Sequence, residues 1–134
     1  SGFEEWDFNK FLPDAIIVNL GTNDAFRCKA SGNDPEEERH FERRYKEFIY
    51  LLRRLNGPGP VIGCTLGSMD YYLYDNILRA ADAYRSETGD TRIFCFKFGG
   101  MFIWEEGSGA LGHPSVKTHE RMGKELADVL KKWI

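Results

Sequence analysis

Three short apolar runs decide what this chain can become: residues 15–20 (Ala-Ile-Ile-Val-Asn-Leu), 61–66 (Val-Ile-Gly-Cys-Thr-Leu) and 91–98 (Thr-Arg-Ile-Phe-Cys-Phe-Lys-Phe). Runs this short, rich in β-branched and aromatic residues, read as strands, the first of them buried on both faces. The stretches between them carry helical periodicity instead. Asp34-Pro35-Glu36-Glu37 opens a helix with a capping residue, a proline suited to the first turn, and acids where the helix dipole favours them. Phe41, Tyr45, Phe48, Leu52 and Leu55 follow at alternating steps of four and three, forming one apolar stripe that Asn56-Gly57-Pro58 stops. A second helix begins near Asp70, turns Tyr74, Ile77, Leu78 and Ala81 inward, and ends by Gly89. A third runs from about Ser115 to Trp133, with His119, Met122, Leu126, Val129 and Trp133 at helical spacing. Strand–helix alternation of this kind predicts a parallel sheet with right-handed crossovers. The class is α/β.

The chain has 134 residues, enough for a single domain with a real core. A formal net charge of −3, with no stripe of Lys and Arg, argues against a nucleic-acid partner. No run approaches the roughly 20 apolar residues of a membrane span. A secretory leader is missing, but the opening Ser1-Gly2 suits a cut end or a cloning scar, so the compartment stays undecided. Phe3, Trp6, Phe8 and Phe11 make an aromatic lead-in too irregular to classify, with a short helix as one reading. Cys28, Cys64 and Cys95 form an odd set without a Cys-x-x-Cys pair, and all three are expected to be structural. The three histidines lack metal-ligand spacing, and there is no Gly-rich phosphate loop. Neither a metal nor a cofactor is expected.

In open α/β sheets, ligands and reacting groups collect beyond the carboxyl ends of the strands. Here those ends deliver Gly21-Thr22-Asn23-Asp24, then Gly67-Ser68, then a Gly-rich loop from Gly99 to His113. The first tetrad reads either as site residues or as a turn that caps the next segment, with residues 25–33 as a polar loop behind it. Of the side chains so delivered, His113 is the natural base near neutral pH. Its competing reading is a loop or capping histidine. His119, in phase with Met122 and Leu126, is expected in the core or behind the site, and His40 on a helix surface. Ser68 sits at a strand-to-helix turn, where serine commonly caps, and is not assigned as a nucleophile.

The segment Asp14-Ala-Ile-Ile-Val-Asn-Leu-Gly-Thr-Asn-Asp24, together with Gly112-His-Pro-Ser-Val-Lys-Thr-His119, resembles the SGNH (GDSL-type) hydrolases, and most of all their family 2 carbohydrate esterases. The resemblance covers most of the chain from Pro13 onward. It implies a flavodoxin-like, three-layer α/β/α fold and removal of acyl groups, acetyl above all, from carbohydrate or small esters. It also implies that Gly21 and Asn23 belong to the oxyanion site, that His113 is the catalytic base and that the protein is extracellular. Residue chemistry agrees. A tetrahedral intermediate needs fixed hydrogen-bond donors where negative charge forms, and an Asn amide supplies one. Trp104 and the Tyr71-Tyr72 pair then suit a sugar-facing pocket, or simply aromatic packing at core or rim.

Two departures qualify the resemblance. The family's Gly-Asp-Ser nucleophile block has no counterpart here, so the chain reads as the carboxyl-terminal part of such a domain, inactive by itself. The acid that many members place three residues before the base is replaced by Ala110. A backbone carbonyl is then expected to orient His113. Asp24 is expected to brace the oxyanion turn, although service to His113 stays open. Without neighbouring strands, residues 15–20 would form an exposed sheet edge, which invites self-association or a companion amino-terminal segment. A non-catalytic binding module of degenerate SGNH type is the alternative to an enzyme.

Overall fold

The computed structural model describes Gly2 and residues 4–134. Ser1 and Phe3, the first residue of the aromatic lead-in, lie outside the described residues. A sheet of three parallel strands forms the middle layer: β1 (Ala15–Asn19), β2 (Val61–Leu66) and β3 (Ile93–Lys97), in the spatial order β1-β2-β3. The registers Val18↔Cys64 and Cys64↔Cys95 align the three runs side by side. The helices are α1 (Thr22–Ala30), α2 (Pro35–Asn56), α3 (Tyr74–Thr88), α4 (Ile103–Glu106) and α5 (Val116–Leu130). Among the described residues, no helix is long and apolar enough to cross a membrane.

Successive strand residues face opposite sides of a sheet, and the two sides bury different partners. Val18, Ile62, Cys64, Leu66 and Ile93 pack with Phe41, Tyr45 and Ile49 of α2 and with Ile77, Ala80, Ala81 and Tyr84 of α3. On the opposite side the Trp133 ring, just past α5, stacks on Phe94 with centroids 5.4 Å apart. The result is the α/β/α layering expected of an SGNH hydrolase.

Three expectations need correction. First, β1 is not buried on both faces: Val18 is its one buried residue, and β2 is the strand buried along its whole length. The reason is position, because β2 has a strand on either side while β1, among the described residues, has a strand on one side only. Second, residues 22–30 are a helix rather than a turn followed by a loop. Its buried residues are only Ala25 and Cys28, and Phe26 points to solvent, so no apolar stripe marked it. Third, α3 starts at Tyr74, because the Asp70 carboxylate accepts a bond from the Tyr72 amide (2.8 Å) and holds a turn ahead of the helix. In the lead-in, a short 3-10 turn (Phe8–Lys10) capped by Asp7 leaves Trp6, Phe8 and Phe11 exposed.

Candidate functional site

A cleft of about 360 Å³ opens beyond the carboxyl ends of the strands, and its walls include Asn19, Gly21, Asn23, Ser68, His113 and His119. Each of the three segments predicted to meet at this edge therefore reaches one space.

Gly21 makes the bend from β1 into α1 with φ +135°, a conformation that L side chains rarely adopt. A Cβ there would also lie 3.3 Å from a Leu66 methyl and 3.4 Å from the Phe41 ring. With no side chain in the way, α1 begins at once, so Asn23 stands in the first turn of a helix whose N-cap offers no side-chain partner to the leading amides. Positive helix-dipole charge thus points toward the cleft beside the Asn23 amide. Behind it, Asn19 Nδ2 donates to the Gly67 carbonyl (2.9 Å), tying the tip of β1 to the turn that follows β2. Asp24 is exposed in the same helical turn, but it lines a separate groove with Arg27 and His40.

His113 follows a 3-10 turn (Ala110–Gly112) in which Leu111 and Gly112 both take positive φ. That turn brings the Ala110 carbonyl back to the imidazole, with Nδ1 3.1 Å from the oxygen. A carbonyl only accepts, so Nδ1 is the donor in this bond, and in the neutral ring Nε2 is the nitrogen that holds the lone pair. The Gly109 amide donates to the His113 carbonyl (2.7 Å), and Ser108 bridges Pro114, which closes the loop on itself. Ser115 caps α5 by accepting from the Thr118 amide at 3.2 Å.

His119 does not enter the core. It is exposed and lines the cleft, while Thr118 and Met122 take the buried positions of α5. The rest of the stripe, Met122, Leu126, Val129 and Trp133, does turn inward, and at its first turn the buried place belongs to Thr118, whose polar side chain gives no apolar signal. Asn19 also lines the cleft, and its one signal in the sequence is a lone amide within an apolar strand. Ser68 lines the cleft and is buried, and among the described residues its hydroxyl has no hydrogen-bond partner. No base is paired with it as nucleophilic activation requires. Trp104 is almost wholly exposed on α4 and is not among the cleft walls. Tyr71 donates to the Phe98 carbonyl and Tyr72 to Glu38, so both act as packing tethers.

The sequence profile of the GDSL-like lipase/acylhydrolase family matches residues 4–126. The cellulase/esterase CelE of Acetivibrio thermocellus is 31% identical over 136 aligned residues, spanning 94% of this chain and 15% of that protein. Among solved structures, an acetyl xylan esterase from the rumen bacterium Butyrivibrio proteoclasticus superimposes with a TM-score of 0.87 at 28% identity. A family two carbohydrate esterase from Clostridium thermocellum, in complex with cellohexaose, gives 0.77 at 30% identity. Each superposition covers 96% of this chain and 39% of the other.

Proposed function

The chain belongs to the GDSL-like lipase/acylhydrolase family, and from that premise we propose that it forms the oxyanion and base half of a serine esterase that removes acetyl groups from carbohydrate. What supports this most is that Asn23 and His113, far apart in sequence, line one cleft. The substrate class is drawn from the relatives' acetyl xylan and carbohydrate esterase activities.

In this reading the attacking serine comes from outside these 134 residues, since the chain holds no Gly-Asp-Ser block. His113 Nε2 takes the serine proton as Oγ adds to the ester carbonyl. The oxyanion is met by the Asn23 amide and the Gly21 N–H at the positive end of α1. As the intermediate collapses, the C–O bond to the sugar breaks and the imidazolium gives its proton to the departing oxygen, which leaves as the sugar hydroxyl, and water then releases the acyl group by the same route. The Ala110 carbonyl takes the orienting role that an acid plays in a triad, and the pair acts as a Ser-His dyad.

An acetyl-ester assay on residues 1–134 beside the complete protein tests the assignment. Turnover is expected from the complete protein, to be lost in His113→Ala, with none from residues 1–134 alone. Turnover by the isolated chain that disappears in Ser68→Ala would move the nucleophile to Ser68. A complete protein without esterase activity would favour a non-catalytic binding module.

A further inference from the structure

The segment from Gly99 to His113 crosses from β3 to α5 with only one four-residue helix and one 3-10 turn inside it. Among the described residues, the side-chain hydrogen bonds that leave residues 101–113 for the rest of the domain all end on one carboxylate, that of Glu106. Glu106 accepts from the Thr118 hydroxyl (2.7 Å) and from Arg121 Nε (2.6 Å) and Nη2 (3.2 Å), both residues of α5. Arg121 reaches back as well. Its guanidinium donates to the carbonyl of Gly100 and to Glu125, and it lies over the Phe102 ring, 4.6 Å from the centroid. Glu125 in turn accepts from the Gly99 amide (3.0 Å). One guanidinium thus grips the segment where it leaves β3 and again at its midpoint, seven residues before His113.

Thr118 is fully buried, and the Glu106 and Arg121 side chains are largely shielded, 12% and 21% exposed. A planar fork with several donors fits this task where a flexible ammonium would not. Downstream of Glu106, the Ser108–Pro114 bridge and the bond from the Gly109 amide to the His113 carbonyl transmit the anchor to the imidazole.

We propose that Glu106, clamped by Arg121 and Thr118, is a positioning residue that holds the Ala110 carbonyl and the His113 ring in register with the cleft. The proposal rests on the reading of His113 as the base, and it adds that the base is aimed from α5 rather than by an acid of its own. Glu106 touches no reacting atom. Its removal should therefore lower turnover through geometry and leave substrate affinity alone.

The test uses the complete protein with ¹⁵N-labelled histidine. Glu106→Gln is expected to lower kcat on an acetyl ester roughly tenfold or more with KM nearly unchanged, as small misplacements of a reacting group do. The His113 imidazole resonances should also lose their bias toward the Nδ1–H tautomer. Thr118→Val, which removes a single bond to Glu106, should shift both readouts in the same direction by less, and it decides the matter if Glu106→Gln fails to fold. Unchanged tautomer signals in a folded variant overturn the proposal, whether or not kcat falls. If instead His113→Ala keeps full turnover, the base assignment fails, while the tautomer signals still report on the clamp.

Discussion

The imidazole Nδ1 of His113 and the carbonyl oxygen of Ala110 lie 3.1 Å apart, so the ring's hydrogen-bond partner is a main-chain atom rather than an acidic side chain. Such a partner carries no net charge and cannot be lost to protonation. It fixes the tautomer by geometry alone.

Asn23 lines the same cleft as His113. Asn23→Ala should lower kcat by about 10²–10³ with little change in KM, because an oxyanion donor acts chiefly in the transition state. Steady-state kinetics of the complete protein on an acetylated sugar measure it. A change confined to KM would place Asn23 in substrate binding instead.

Gly21→Ala should destabilise the fold by about 1–3 kcal/mol. The new methyl would have to sit at φ +135° while crowding Leu66 and Phe41. Urea unfolding at neutral pH gives the difference, and wild-type stability in the variant would refute the packing argument.

The fold and part of the site were legible because burial was written in residues that sequence patterns detect. The Phe41, Tyr45 and Leu52 stripe and the unbroken apolar run of β2 announce a helix and a strand of an α/β layer. The helix holding Asn23 stayed hidden because it is buried through only Ala25 and Cys28. His119 was misplaced because Thr118, buried through its bond to Glu106, gives no apolar signal. The sequence suggests a backbone carbonyl as the partner of His113 without saying which, because the turn that brings the Ala110 carbonyl to the ring depends on Leu111 at φ 54°, which no propensity foretells.

Glu106 supplies a pH prediction. The Arg121 guanidinium and then the Thr118 hydroxyl pull its carboxyl down to about 2, whereas an unfolded glutamate titrates near ~4.3. The stabilisation is therefore complete above the unfolded value and disappears as pH falls from there toward about 2. Denaturant melts of wild type and Glu106→Gln across this window should differ in slope, with the variant flatter. Parallel curves would mean that the ion pair contributes nothing to acid sensitivity.

The free side of β1 supplies the last prediction. Residues 1–134 expressed alone should associate as concentration rises, since among the described residues no strand pairs with the far side of Ala15–Asn19, beside the exposed Leu12 and Leu20. Size-exclusion chromatography over a dilution series reads this directly, and a monomer at every concentration would count against it.

The bond from the Asn19 amide to the Gly67 carbonyl acts as a crossbar between adjoining strand tips. A wall braced in this way keeps its spacing when a guest arrives, so fit depends on the guest's own dimensions and little ordering is left to be done on docking. Cutting the brace, for instance with Asn19→Ala, would exchange that rigidity for tolerance.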